Sequence, residues 1–205
     1  MESTLQNMAR PPLFDTTQLL DAAVRLAAAS GPGGVTMSAV AKEVGAPSGS
    51  VYHRFPGRNA LLAEVWLRTV ESFQEAYLAA LGSSPDPVRR AAAAVREVVV
   101  WSRANPGEAA LLLHGPGAFN QAEWPAQYGI RADRGERVVR RALGELMQEL
   151  DVRGPDAVDR ITLIMVELPL SVMRPYLRAG KPLPPHTEAL AEQSAVALLT
   201  AGKAG

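Results

Sequence analysis

The chain has 205 residues, with 21 Lys and Arg against 21 Asp and Glu, and 47% of it is hydrophobic. That balance fits one large or two small globular domains and argues against wholesale coating of nucleic acid, though not against a small DNA-reading surface. There is no cysteine, which excludes disulfides and thiolate metal sites. No apolar run reaches the length of a signal-peptide core or a membrane span, so a cytoplasmic protein with no membrane partner is expected.

Ala, Leu, Glu and Arg favour helix and β-branched alternation is scarce, which predicts an all-α fold. Residues 1–15 read as a flexible arm, with Pro11 and Pro12 delaying helix entry. Arg10 there is either a phosphate or minor-groove contact or part of a disordered tail. Thr16 or Thr17 is expected to cap a first helix through Leu19, Leu20, Ala23, Leu26 and Ala27, which "SGPGG" (30–34) stops. Thr36 caps a second, with Met37, Val40, Ala41 and Val44 on one face and Gly45 as its C′ residue. Pro47 and Ser48 open a third, Ser48 supplying the cap oxygen, and "PGR" (56–58) breaks it before a long helix over 59–81. "GSSPDP" (82–87) then separates this small-helix unit from longer helices. These end near 105, 114, 150, 179 and 201, giving about nine in all, with the loop "GPGAFNQAEWP" after the 107–114 helix. The expected organisation is an arm (1–15), a helix-turn-helix domain (16–60) and a larger C-terminal domain (61–205) joined to it by helix 59–81.

The stretch "SGSVYHRF" (48–55) concentrates polar and aromatic groups in about two helical turns. Two short helices joined by a tight glycine turn form a helix-turn-helix signature. Val40, Val44, Val51 and Phe55 then point into a three-helix core, while Ser48, Ser50, Tyr52 and His53 face outward with hydrogen-bonding groups suited to phosphates and base edges. Gly49 lets a backbone approach closely.

"LLDAAVRLAAASG" and "VTMSAVAKEVGAPSGSVYHRFPGRNALL" resemble the N-terminal domain of the TetR family of bacterial transcriptional regulators, over roughly residues 16–66. The resemblance implies that Thr36 caps the second helix and binds phosphate, and that Ser48 and Ser50 begin the recognition helix. It implies further that Tyr52 holds a phosphate, His53 reaches phosphate or base, and Arg58 clamps the DNA backbone. Each has a plainer alternative: Thr36 as a cap alone, Tyr52 as packing, Arg54 as a DNA contact or a surface ion pair. Two positions depart from the family pattern: Ser48 stands where many relatives carry Lys or Arg, and Ala27 where many carry an aromatic. Lys42, Arg54 and Arg58 against Glu43 leave this segment at only +2, so specificity must lean on dimer geometry and neutral donors.

The same resemblance implies a homodimer built by the last two helices, and a small-molecule effector site. Leu190, Ala191, Ser194, Ala195 and Leu198, with Ile161, Ile164, Met165, Leu168 and Val172, suit either that dimer or an internal core. The candidate ligand contacts are Trp101, His114, Phe119, Trp124, Tyr128, Glu167 and Met173. Glu167 interrupts the apolar run "IMVELPLSVM" and is a ligand contact, a partner of Arg174 or solvent-facing. Pro169 and Pro175 free the carbonyls of Met165 and Ser171. Arg131, Arg134, Arg137 and Arg141, interspersed with Asp133, Glu136 and Glu145, read as a solvated, ion-paired face. His53, His114 and His186 are scattered and no nucleophile elbow, phosphate loop or metal motif is present, so no enzyme, cofactor or metal is expected. The expected function is a repressor of double-stranded DNA released by a largely apolar ligand. The alternative is a DNA-binding protein controlled by a protein partner.

Overall fold

The computed structural model describes residues 15–201, and every regular element among them is helical. Arg10, Pro11, Pro12 and the rest of the expected arm up to residue 14 lie outside the described residues. Asp15, rather than Thr16 or Thr17, caps α1 (Thr16–Ser30). Its carboxylate accepts the Gln18 N–H at 2.8 Å, and the Gln18 side chain accepts the Asp15 N–H at 3.2 Å, a reciprocal capping box. A 3₁₀ turn, Pro32–Gly34, leads into α2 (Met37–Val44), where Thr36 Oγ1 accepts the Ala39 N–H at 3.1 Å as its cap. Gly45 ends α2 at φ 69°, ψ 25°, left-handed backbone that a β-carbon would strain.

The third helix, α3 (Ser48–Tyr52), has five residues and no side-chain cap. Pro47 holds the cap position and Ser48 lies within the helix, so the expected Ser48 cap is not formed. Val40, Val51 and Phe55 are almost completely buried as the spacing predicts, while Val44 is only half-buried. Val35 and Met37 complete this small core.

The long connecting helix α4 (Arg58–Leu81) spans 24 residues, about 36 Å at 1.5 Å per residue. Its first half contributes Leu61, Leu62, Val65 and Trp66 to the head core; its second half contributes Tyr77 and Leu81 to a separate C-terminal core. Arg68 is bonded to Asp21, fastening α4 to α1. Beyond it come α5 (Pro87–Ala104), capped by Asp86, and α6 (Pro106–Leu112). Two 3₁₀ turns, Pro116–Phe119 and Gln121–Glu123, lead into α7 (Ala126–Glu149). Between those turns Asn120 adopts left-handed backbone at φ 59°.

The predicted 155–179 helix is one rod in three parts: α8 (Ala157–Thr162), a π turn (Leu163–Glu167) and α9 (Leu168–Arg178). The Leu168 N–H reaches back to the Leu163 carbonyl. Pro169 follows at once with no N–H to give Met165, so the widened turn falls where the α-helical ladder is already interrupted. Counting that rod once, the described residues form nine helical rods, closed by α10 (Thr187–Ala201).

The C-terminal helices pack α10 and α4 on α5, with α7 against α4 and, more lightly, α5. Ala191, Ala195 and Leu199 of α10 are buried, as are Ile161, Ile164 and Met165 of the α8 rod. These residues of the expected dimer stripe therefore serve the protomer's own core. The large apolar side chains left exposed on the same helices are Leu190 and Leu198, with Val158 and Leu163. The Arg131 guanidinium bridges Glu71 and Glu64 of α4, and their carboxylates hold it firmly protonated. Arg140 pairs with Glu136, whereas Arg134, Arg137 and Arg141 have no ion pair among the described residues. The expected ion-paired face is thus not formed at those three positions, although Asp133 and Glu145 stand four residues from Arg137 and Arg141.

Phe55, 3% exposed, joins α3 to the head core. Phe55→Ala should lower stability by about 3–5 kcal/mol, read as a shift of the urea unfolding midpoint.

Candidate nucleic-acid interface and effector cavity

On α3, Ser48 and Gly49 lie one turn before Tyr52 and His53, so the four share the face opposite Val51. All four are exposed, Tyr52 by 59%, and Ser50 is half-buried at the edge of the same surface. Glycine inside a helix costs about 1 kcal/mol relative to alanine. A β-carbon at Gly49 would meet no atom within 4 Å, so packing within the chain gives no reason for glycine there. Beside this surface, Thr36 is half-buried and its hydroxyl contacts Ser38 Oγ at 3.2 Å as well as capping α2. Arg25 of α1 partners Glu43 at 3.2 Å, drawing the nearest acid toward a cation. Arg54 Nη1 donates to the Ser50 carbonyl at 3.3 Å.

Arg58 is placed differently from the expected DNA clamp. Its Nε donates to the Val35 carbonyl at 2.8 Å and its Nη2 to the Pro32 carbonyl at 3.0 Å. A cation in the first turn of α4 opposes the helix dipole, and these carbonyls supply the compensation. Arg58 thus fastens α4 to the turn that introduces α2.

The second site is a cavity of about 660 Å³ enclosed by α4, α5, α6, α7 and the α8–α9 rod, within the size range of small-molecule sites. One wall is a stripe of α4, Trp66, Val70, Phe73 and Tyr77, at helical spacing. The facing wall takes Leu170, Arg174, Leu177 and Arg178 from α9, with Met165 and Val166 from the π turn. The Tyr77 side chain is buried, its hydroxyl has no partner among the described residues, and desolvation holds its ionisation well above the usual phenol range.

None of the seven residues expected to touch ligand lines this cavity; they stand behind it or away from it. The Trp101 ring meets Phe73 edge-on at 5.3 Å, and its indole N–H donates to Ser72 Oγ at 3.3 Å. Phe119 packs against Trp66 at 5.1 Å, and Trp124 donates to the Phe119 carbonyl at 2.7 Å, both within the head core. Tyr128 is half-buried against that core, and burial raises its phenol. His114 is exposed between the lining residues Leu113 and Gly115. Glu167 is exposed, its carboxylate 4.0 Å from Arg174 Nη2. Met173 is fully buried in the C-terminal core. Sequence reading weighted aromatics in loops and passed over the α4 stripe, whose 66, 70, 73, 77 spacing was the available signal.

A helix-turn-helix head on a helical body with an internal cavity is the fold of a DNA-binding transcriptional regulator. Residues 19–65 match the model of the family described as bacterial regulatory proteins, tetR family. No curated protein matches in sequence. Among solved structures, the fatty acid degradation regulator FadR from Bacillus halodurans is 17% identical with a TM-score of 0.67, over 90% of this chain and 98% of that one. FadR from Bacillus subtilis, in complex with stearoyl-CoA, is 16% identical with a TM-score of 0.66, over 92% and 99%. The TetR family regulator PfmR from Thermus thermophilus is 19% identical with a TM-score of 0.62, over 89% and 97%.

Two stability measurements check these placements. Tyr77→Phe removes a buried hydroxyl without a partner and should raise the unfolding free energy of the ligand-free protein by about 1 kcal/mol. Arg58→Ala should lower it by about 1–3 kcal/mol, because the buried Val35 carbonyl loses its donor; a side chain serving only DNA would leave the urea midpoint unchanged.

Proposed function

We propose that the protein is a homodimeric repressor that binds a pseudopalindromic operator and is released from it by a small, largely apolar ligand. The observation that carries this reading is the double use of α4: Trp66, Phe73 and Tyr77 wall the cavity, and the same helix begins at Arg58, bonded to the head. A second route runs through the loop after α6. Gly115 and Pro116 line the cavity, and a few residues on Phe119 packs on Trp66 and Asn120 donates to Asn59 Oδ1 at 3.3 Å. Ligand that fits the cavity better with α4 tilted shifts the head, since differential affinity for two states is what couples two sites.

The exposed Leu190, Leu198, Val158 and Leu163 support a dimer through α10 and the α8–α9 rod. Such a dimer presents two α3 helices, and a DNA-bound pair sits in major grooves about 34–36 Å apart. Ser48, Gly49, Ser50, Tyr52 and His53 are then the reading surface, with Thr36 at its edge. The stearoyl-CoA bound by the B. subtilis protein supports an apolar chain as the kind of ligand such a cavity takes. Among the described residues no helix is long and apolar enough to cross a membrane, and the reading places the protein with the chromosome in the cytoplasm. It assigns no catalytic step.

Selection of bound fragments from the source genome, at near-physiological salt, tests this. A short inverted repeat should be recovered, with Tyr52→Ala and His53→Ala each weakening binding to it by at least about tenfold. Enrichment without a shared repeat, or indifference to both substitutions, would remove DNA reading from α3.

A further inference from the structure

Helical serines and threonines commonly return their proton to their own backbone. Thr69 Oγ1 donates to the Val65 carbonyl at 2.9 Å, Ser171 Oγ to the Leu168 carbonyl and Thr200 Oγ1 to the Val196 carbonyl, each at 2.8 Å. Ser102 of α5 does not. It is 5% exposed, yet its hydroxyl has no hydrogen-bond partner among the described residues. The Tyr77 hydroxyl shares that lack but is sealed in packed protein, whereas Ser102 Oγ keeps accessible surface. Ser102 lines the cavity, so this surface opens on it. The fold has no use for the hydroxyl: Ser102 continues the buried row Ala91, Val95 and Val98, where alanine would pack equally and favour the helix more.

The chemistry of the missing partner follows from counting protons. A ligand that covers Ser102 without bonding it strands the serine proton, a cost larger than the net worth of a typical hydrogen bond. The ligand that this wall favours therefore brings an acceptor. The other residues that α5 and α6 give to the wall are Val98, Ala109, Leu112 and Leu113, all apolar. Against them a ligand hydroxyl would leave one proton of the pair without an acceptor. A carboxylate would meet a single neutral donor there, too little to offset its desolvation; the cations of the wall, Arg174 and Arg178, both stand on α9. A carbonyl oxygen accepts the serine proton and leaves no proton unpaired.

We propose that Ser102 sets the specificity of the cavity, its hydroxyl donating to a carbonyl oxygen carried along an otherwise apolar, uncharged ligand. The inference rests on the cavity being the effector site. It goes beyond an apolar ligand by naming the polar group that the ligand carries and the residue that reads it.

The test uses the full chain and titration calorimetry with the linear undecanones, from 2-undecanone to 6-undecanone. These isomers share one carbon skeleton and differ only in where the oxygen stands. One isomer should bind about fivefold tighter than the weakest, and Ser102→Ala should remove that spread while leaving the weakest isomer unchanged. The undecanol with its hydroxyl at the favoured position should bind severalfold more weakly than the ketone. Equal binding of all isomers, a spread that survives Ser102→Ala, an alcohol as tight as its ketone, or no binding of any of them would overturn the inference. The same titrations on the operator complex separate it from the reading beneath it. Release of DNA by every isomer alike, in the wild type and in Ser102→Ala, would keep the repressor and discard the role of the serine. The predicted isomer preference without any release would keep that role and discard ligand control.

Discussion

The structure depends on α4 being one uninterrupted helix buried at both ends in different cores. Leu61, Leu62 and Val65 are fixed in the head core, where α4 meets α1, α6 and the loop after α6. Tyr77 and Leu81 are fixed in the C-terminal core, where α4 packs on α5 and α7. A packed interior does not deform continuously, so neither end can slide independently of the other. The ion pairs along its length reinforce this, with Arg68 reaching α1 and Arg131 reaching down from α7. In the repressor proposed above, communication between cavity and head needs no special relay, because the wall of one is the foundation of the other.

Around that rod, irregular backbone collects where the cavity needs it. The π turn at Leu163–Glu167 supplies Met165 and Val166 to the wall, and widened helical turns are often found at functional sites. The loop 115–125 does something similar at the other side. Its two 3₁₀ turns hinge at Asn120, and its indole–carbonyl bond from Trp124 to Phe119 keeps the short segment stiff between cavity and head.

Much of the head was legible because local chemistry decides it. Thr36 as a cap, Gly45 in left-handed backbone and the burial of Val40, Val51 and Phe55 all follow from rules that act within one turn or one tight motif. Asp15 escaped notice because a capping box needs the glutamine three residues on, and the neighbouring threonines offered a simpler cap. The body was legible as helices but not as a site. Whether Trp101 faces the cavity or stands behind Phe73 is set by how α4 and α5 are rotated against each other, which no spacing within α5 records. The same holds for Ala191 and Ala195, whose small side chains suit close approach to any helix; the chain spends them on its own α5. Arg58 was read from its position after the turn as a residue for DNA, and only the fold brings the Val35 and Pro32 carbonyls within its reach.

The joint at Arg58 has a mechanical meaning. The head does not hang from α4 by a swivel: the guanidinium grips the turn before α2, and Asn59 is tied to Asn120 beside it. The rod and head therefore move as a lever with a welded tip. Over about 36 Å, a tilt of only about 5° carries the tip about 3 Å, and in a symmetric pair the two displacements add. In the repressor proposed above, a motion too small to disturb the packing around the cavity would thus put two reading helices out of step with the turn of the duplex.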